Sequence, residues 1–228
     1  MAIATWQDLC VDAVDADVLG RFWAAALGLT YVPHGDGDAQ LDGPTPEHRV
    51  WINTVPEPVT VKQRVHLDVH ARSVDDVLAL GATPDDLDTF TWKILRDPEG
   101  GELCVFERDW PADEFPDYRL YEIGVDAVEP RPIARWWADV LGATYGHHDE
   151  QDWAWVEDIP GAPFECLVFA AVPEPKTVKN RIHWDVKTDD LTLLTDAGAT
   201  VLRTLEHWTV MADPEGNEFC AFLRSQED

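Results

Sequence analysis

The sequence predicts an α+β fold made of two tandem domains, each built from two successive βαβββ units. Three observations support this prediction. The chain has 228 residues, which is enough for two small domains; it contains an internal duplication; and each half repeats one succession of strand and helix patterns.

The duplication is clear in two segments that recur in the same order. Residues 55–69 (VPEPVTVKQRVHLDV) match residues 172–186 (VPEPKTVKNRIHWDV) at eleven of fifteen positions. The turn DPEGGELCVF at residues 97–106 recurs as DPEGNEFCAF at residues 213–222. The stretch ERDWPADEFPDY between the halves has two prolines and a group of acids, which is typical of a linker. We therefore predict domains at residues 1–108 and 119–228, joined by a linker at residues 109–118.

Each half begins with a short strand and an amphipathic helix. In the first half the strand is LCV at residues 9–11, and Asp15 or Asp17 can cap a helix that Gly28 ends. Apolar residues at three- and four-residue spacing form one face of this helix: Val18, Leu19, Phe22, Trp23 and Ala26. The second half repeats the pattern with Ile133, Trp136, Trp137 and Val140, between Pro132 and Gly142.

The second unit of each half begins with the HxD strand. A short helix follows it, SVDDVLALG ending near Gly81 in one half and TDDLTLLTDAG ending near Gly198 in the other. The DPEG segments then predict hairpins, in which Pro and Gly serve the turn and carry no chemistry.

Charge and composition exclude several classes of function. The 17 basic against 44 acidic residues give a net charge of −27, which is unsuited to nucleic acid or to an anionic membrane. There is no apolar run of membrane-spanning length and no signal-peptide pattern, so we expect a cytoplasmic protein. The four cysteines form no CxxC pair, so we expect reduced thiols.

The motifs carry a resemblance to a known family. The helix segment, the repeated VPEPxTVKxR and HxDV motifs and the DPEG turns, in this order in both halves, resemble the glyoxalase-like branch of the vicinal oxygen chelate superfamily. That superfamily also holds glyoxalase I, extradiol dioxygenases and bleomycin-resistance proteins. The resemblance implies paired βαβββ units in an incomplete barrel around a cleft. It leaves open two clefts within the halves or clefts shared between halves or subunits, in a monomer or a homodimer.

The resemblance also indicates where metal ligands would lie in this sequence. Metal-dependent relatives take His, Gln or Glu ligands from the first and last strands of each unit. Position by position, the opening-strand ligand falls near Trp6 and Leu120, which cannot bind a metal. Because this set is incomplete, we expect no metal cofactor. If a divalent metal (zinc, nickel, manganese or iron) does bind, the candidate ligands are His66, Cys104, His183 and Cys220.

The HxD pairs are the candidate catalytic groups. His66 with Asp68, and His183 with Asp185, are two residues apart, so in a strand each pair faces one side. An aspartate beside a histidine suits a general base or a metal ligand. The alternative is a structural histidine whose aspartate pairs with Arg64 or Arg181.

Tryptophans and arginines are the candidate ligand-binding groups: Trp51, Trp153, Trp155, Trp184, Arg64 and Arg181. Aromatic walls in an acidic chain favour a small organic ligand that is cationic or aromatic. Alternatively, the tryptophans fill the core, and the arginines, with Lys62 and Lys179, pair with acids.

Two functions follow. The first is a small-molecule-binding protein with an aromatic, acidic cleft and no complete metal site. The alternative is a metal-dependent lyase, isomerase or dioxygenase that uses His66 or His183. The sequence leaves open whether the chain is an enzyme.

Overall fold

The computed structural model describes residues 2–224 and confirms the α+β fold of βαβββ units. The first half contains β1 (Ala4–Ala13), α1 (Ala16–Leu27), β2 (Thr30–Pro33), β3 (Ala39–Asp42), β4 (Val50–Thr54), β5 (Val65–Ala71), α2 (Val74–Leu78), β6 (Thr83–Asp86), β7 (Lys93–Arg96) and β8 (Glu102–Glu107). The second half contains β9 (Leu120–Ala127), α3 (Pro130–Leu141), β10 (Thr144–His147), β11 (Trp153–Glu157), β12 (Cys166–Ala171), β13 (Ile182–Thr188), α4 (Leu191–Asp196), β14 (Thr200–Thr204), β15 (Thr209–Ala212) and β16 (Glu218–Leu223).

The strands form two eight-stranded mixed sheets, and each sheet takes one unit from each half of the sequence. The first sheet has the order β14-β15-β16-β13-β1-β4-β3-β2, and the second has the order β10-β11-β12-β9-β5-β8-β7-β6. Neither sheet closes into a barrel. The opening strand of each half therefore pairs with the HxD strand of the other half, so each sheet is shared between the halves.

The central pairing in each sheet is antiparallel. In the first sheet Cys10 of β1 lies opposite His183 of β13, and in the second sheet Gly124 of β9 lies opposite His66 of β5. The two sheets are thus pseudo-equivalent, with β1 corresponding to β9 and β13 to β5. This register decides which side chains of the two halves meet.

Helices α1 and α3 begin and end where the capping residues predict. The Asp15 carboxylate accepts hydrogen bonds from the backbone N–H groups of Asp17 and Val18, and Gly28 ends α1 with φ 73°. Proline stands in the first turn of α3, and Gly142 ends that helix with φ 65°. Positive φ at these positions favours glycine because a Cβ would clash with the backbone.

Each long helix also ties the two sheets together. The backbone N–H of Ile3, just before β1, donates to the carbonyl of Val140 in α3. The backbone N–H of Arg119, just before β9, donates to the carbonyl of Leu27 in α1. A single buried apolar cluster includes Trp23 of α1, Trp137 of α3 and strand residues of both sheets. The packing of one sheet therefore depends on the other.

The DPEG turns are structural, as predicted, and they also connect the sheets. Asp97 Oδ1 accepts from the backbone N–H groups of Glu99 and Gly101, which holds the turn. The carboxylate of Glu99 in turn accepts from the backbone N–H groups of Val14 and Asp15, at the start of α1. Across residues 2–224, no helix is long and apolar enough to span a membrane.

Replacing Gly28 with alanine should destabilise the fold. A Cβ at this position would lie 1.8 Å from the backbone carbonyl oxygen of Asp117, just before β9, and the residue has a positive φ. We expect Gly28→Ala to lower the free energy of unfolding by at least about 2 kcal/mol in urea denaturation. Gly35→Ala is the matched control because no atom lies within 4 Å of its Cβ position. Equal stability of the two variants would contradict the close packing of Asp117 on the end of α1.

Candidate functional site

Strand alternation separates an apolar face from a polar face in the middle of each sheet. On β5, Leu67 and Val69 are fully buried in the core, whereas His66 and Asp68 face the other side. On β13, His183 and Asp185 share the corresponding polar face. The predicted pairing of His with Asp is therefore present in both sheets.

The first cluster comprises Asp8, Cys10, His183, Asp185 and Cys220, all buried in the first sheet. His183 Nε2 lies 3.6 Å from Asp185 Oδ1 and 3.5 Å from Cys220 Sγ. Cys10 Sγ donates to Asp185 Oδ2 at 3.5 Å. Strands β1, β13 and β16 thus contribute imidazole, carboxyl and thiol groups from both halves of the chain.

The second cluster comprises His66, Asp68, Cys104, Glu122 and Cys166 in the second sheet. His66 Nε2 lies 3.3 Å from Asp68 Oδ1, and Cys166 Sγ donates to Glu122 Oε2 at 3.4 Å. Asp68 and Cys104 occupy paired positions on β5 and β8. The two clusters share His, Asp and the terminal-strand Cys, but they place their second cysteine on different strands.

The structure brings one carboxyl group of each opening strand to a cluster, which the position-by-position comparison at Trp6 and Leu120 did not indicate. Asp8 of β1 and Glu122 of β9 lie at the clusters, two residues after Trp6 and Leu120. A shift in register, typical of a β-bulge, occurs between Trp6 and Asp8 in the first sheet and between Leu120 and Glu122 in the second. Simple alternation cannot predict the position of a bulge, so the sequence indicates only Trp6 and Leu120 here, and both belong to the buried core.

Each cluster contains two neighbouring carboxyl groups, and burial raises the pKa of both. Burial raises the pKa of Asp185, and the charge of the neighbouring Asp8 raises it further. Burial and the charge of Glu122 act in the same way on the pKa of Asp68. Two carboxyl groups in such surroundings do not both ionise in the absence of a cation. Each pair therefore holds a proton or attracts a positive charge.

The two histidines are neutral. Burial, together with the nearby positive charges of Lys179 and Lys62, lowers the pKa of His183 to about 3 and that of His66 to about 4. Burial also raises the pKa of the Cys10, Cys104 and Cys220 thiols. A neutral imidazole is the form that binds a metal, whereas a thiol must lose its proton to do so.

The donor groups fit a divalent metal. In each sheet His, Asp and Cys ligand atoms lie within 4.8 Å of one another, as Cys10, His183 and Asp185 in one cluster and His66, Asp68 and Cys104 in the other. Zinc bonds of about 2.0–2.3 Å place tetrahedral ligand atoms roughly 3.3–3.8 Å apart, close to the separations measured in the two clusters. Buried Oδ1 atoms of Asp8, Asp68 and Asp185 have no hydrogen-bond partner among residues 2–224. The candidate ligands therefore extend beyond the set expected from sequence.

The predicted ligand-binding tryptophans divide into three groups. Trp51 lies at the first cluster, where its Nε1–H donates to Asp8 Oδ2 at 3.0 Å. Trp153 and Trp155 share one face of β11, as predicted, with ring centroids 5.1 Å apart. Trp184 does not lie on a ligand-binding surface, contrary to the sequence prediction. It is 1% exposed and packs against Trp137 in the core, because it alternates with His183 and Asp185 along the strand.

The arginines of the repeated loops contact backbone carbonyls of the other half. Arg64 donates to the carbonyls of Asp126 and Glu174, and Arg181 donates to those of Asp12 and Glu57. Arg181 also pairs with Glu99 at 2.9 Å. These contacts favour the structural alternative for both arginines.

A cavity of about 930 Å³ lies between the two repeated loops. Its lining includes Lys62 and Lys179, which form ion pairs of 2.5 Å with Asp126 and Asp12, respectively. The histidines and cysteines of the two clusters are not among its lining residues. The cavity and the clusters are therefore separate features of the molecule.

Comparison with known proteins agrees with this arrangement. Residues 8–106 and residues 122–222 each match the model of the glyoxalase-like domain. The chain therefore belongs to the glyoxalase-like domain family, within the vicinal oxygen chelate superfamily that the motifs predicted. The comparison with curated proteins gave no match.

Solved structures with the same fold include two proteins aligned over nearly the whole chain. Glyoxalase I from Zea mays is 12% identical, with a TM-score of 0.64 over 97% of this chain and 93% of that chain. The cppA protein from Streptococcus pneumoniae TIGR4 is 11% identical, with a TM-score of 0.51 over 96% of this chain and 99% of that chain. At these identities the similarity shows the fold alone.

Acid should destabilise the metal-free protein through its buried histidines. An unfolded histidine binds a proton below its usual pKa of 6.5, whereas folded His183 does so only near pH 3. Stability from this group is therefore lost as the pH falls below 6.5, by about 2 kcal/mol at pH 5. The stability advantage of the wild-type protein over His183→Gln should shrink by that amount between pH 7 and pH 5, in urea denaturation with a chelator present.

The exposed His207 supplies the control for this experiment. The difference between the wild-type protein and His207→Gln should stay constant over the same pH interval. A difference between wild type and His183→Gln that is also constant would show that the folded imidazole accepts a proton normally.

Proposed function

We propose that this protein is a metal-dependent enzyme that acts on a small organic substrate, with a divalent-metal site at each cluster. The observation that carries the proposal is the close grouping of His, Asp and Cys donors in both sheets, each beside a second carboxyl group. The glyoxalase-like fold supports a small-molecule ligand in the clefts.

The paired carboxyl groups of each cluster favour a bound cation over an empty site. Burying two carboxyl groups together requires that one be protonated, or that a positive charge lie between them. Three carboxylate oxygens at these positions are buried without a hydrogen-bond partner among the described residues. A divalent cation would satisfy them and would stabilise the thiolate form of Cys10 or Cys104.

The residues have separable roles in this proposal. His183, Asp185 and Cys10 would hold the metal in the first cluster, and His66, Asp68 and Cys104 would hold it in the second. A metal there would act as a Lewis acid on substrate oxygens.

Asp8 and Glu122 would exchange a proton with the substrate. Asp8 is oriented by the Trp51 Nε1–H and Glu122 by the Cys166 thiol. A carboxylate held by one donor keeps further lone pairs available to accept a proton. These residues suit proton transfer of the kind that lyases and isomerases carry out.

Metal titration tests the proposal. Metal-free protein titrated with Co²⁺ under reducing conditions should bind two equivalents per chain, with an absorption band from thiolate coordination. His183→Ala and His66→Ala should each weaken one equivalent by at least about 100-fold, because each removes a direct ligand. His207→Ala, which changes an exposed histidine outside both clusters, should bind like the wild-type protein. Equal binding by all variants, or no binding, would contradict the proposal.

Gly124→Ala should affect the second cluster alone. The added Cβ would lie 2.3 Å from His66 Nε2, so the imidazole must move. The corresponding position in the first sheet is Cys10, and its side chain is accommodated beside His183. We expect Gly124→Ala to lose one of the two Co²⁺ equivalents and to keep the other, as measured by the same titration. Loss of both equivalents would show that the clusters are not independent.

The second candidate function is a metal-free binding protein. It is favoured by the raised pKa of the thiols and by the carboxyl pairs, because protonated groups can form a neutral network without a metal. In that case Co²⁺ would not bind, whereas a small organic ligand would still quench tryptophan fluorescence.

A further inference from the structure

The second sheet carries a row of aromatic side chains next to its cluster. We define the aromatic row as Trp92, Phe106, Tyr121, His70 and Trp110. The Tyr121 ring lies 4.5 Å from His70 and 5.0 Å from Phe106, and Phe106 stacks on Trp92 at 5.7 Å. His70 lies 4.9 Å from Trp110. Three strands, β5, β8 and β9, and the segments before β7 and after β8 therefore contribute to one continuous aromatic surface.

The aromatic row begins where the second cluster ends. His70 follows Asp68 by two residues on β5, and Phe106 follows Cys104 by two residues on β8, so each lies on the same strand face as its cluster neighbour. Residues two apart in a strand are separated by roughly 7 Å. A ligand of about one or two rings can therefore contact the row and the cluster together.

The Arg108 guanidinium packs against this aromatic row and uses only its Nε–H in a hydrogen bond to another described side chain. Its guanidinium carbon is 4.8 Å from the Tyr121 ring centroid, 5.3 Å from Phe106 and 5.6 Å from Trp110. Its Nε–H donates to His70 Nδ1 at 3.1 Å. Within residues 2–224, the two terminal nitrogens have no hydrogen-bond partner and no carboxylate within 4.0 Å.

The first sheet keeps only part of this arrangement: Trp208 stacks on Phe222 at 5.9 Å, as Trp92 stacks on Phe106. Arg224 follows Phe222 as Arg108 follows Phe106, but it pairs with Asp189 at 3.0 Å and donates to Thr5 Oγ1. Gln7 and Lys187 stand where the second sheet has Tyr121 and His70. The aromatic row with its arginine is therefore not a requirement of the fold.

The donors and rings define the chemistry of a ligand. Because His70 Nδ1 accepts from Arg108, the remaining proton of the neutral ring is on Nε2, which is then a second donor. A guanidinium binds a carboxylate with two parallel hydrogen bonds, and aromatic rings pack against planar groups. We propose that the second cleft binds an aromatic organic acid, whose carboxylate pairs with Arg108 and whose ring packs on Phe106 and Tyr121.

This proposal names a substrate class for the proposed function and rests on ligand binding in the cleft, but it does not require a metal. It also differs from the cationic ligand that the net charge alone favours. The net charge acts on any ligand at long range and is screened by salt, whereas Arg108 acts by direct contact.

Matched probes test the proposal by calorimetry in metal-free protein with a chelator present. The probes are 2-naphthoate, the uncharged 2-naphthamide and the cationic 2-naphthylmethylamine. We expect 2-naphthoate to bind one site per chain, at least about tenfold more tightly than either of the others, because a charge-assisted hydrogen bond is lost in each. Equal binding of the three probes, or preference for the amine, would overturn the proposal.

Variants locate the site. Arg108→Gln should weaken 2-naphthoate about tenfold or more and leave 2-naphthamide unchanged, and Arg108→Lys should restore part of the preference. Arg224→Gln, the corresponding change in the other half, should leave all three affinities unchanged. An equal loss in Arg224→Gln, or no loss in Arg108→Gln, would overturn the assignment to the second cleft.

The two proposals fail separately. Co²⁺ binding without a preference for 2-naphthoate would contradict the aromatic-acid site alone. A preference for 2-naphthoate in a protein that binds no Co²⁺ would support the aromatic-acid site and contradict the metal-dependent function.

Discussion

The pairing of each opening strand with the HxD strand of the other half is the contact on which the rest of the structure depends. It joins β1 to β13 and β5 to β9 at the centre of the two sheets. Through it Asp8 comes beside Asp185, and Glu122 comes beside Asp68. Neither cluster exists within one half of the sequence. Duplication of the chain has therefore produced two sites that each require both copies.

The clusters combine groups that burial would otherwise disfavour. A buried carboxylate loses its hydration, and a second one beside it adds repulsion, so such pairs persist only with a proton, a donor or a cation. The fold supplies donors to some of these groups, such as the Trp51 indole at Asp8 and the Cys166 thiol at Glu122. Oxygens without partners remain, and they are the physical basis for the proposed metal sites.

The two halves keep the same strand positions for their cluster residues but differ in the residues around them. His, Asp and the terminal-strand Cys recur in both clusters, whereas Cys10 corresponds to Gly124, and Arg224 corresponds to Arg108. In the second sheet the missing Cβ of Gly124 leaves room for the His66 ring. The second sheet also has the aromatic row. The sites thus share groups suited to proton transfer and metal binding, and they differ in the surfaces that meet a ligand.

Local sequence patterns predicted the elements well, because their signals are short in range. The caps at Asp15, Gly28 and Gly142 and the DPEG turns act within a few residues, and strand alternation placed His66 beside Asp68. Alternation also required Trp184 to face away from His183, although the abundance of tryptophan had suggested a ligand-binding role for it. The bulges before Asp8 and Glu122 were not predictable, since a bulge depends on the partner strand.

The sequence by itself determined the duplicated βαβββ units, the family, and the shared face of each HxD pair, because repeats and periodicity are local properties of the chain. Only the tertiary structure decided that each sheet draws on both halves and that Asp8 and Glu122 complete the clusters. It also decided that Arg108 lies on aromatic rings while Arg224 pairs with Asp189. These features depend on contacts between residues far apart in the chain, such as Cys10 and Asp185, which are separated by 175 positions. No local pattern encodes which distant strands will pair.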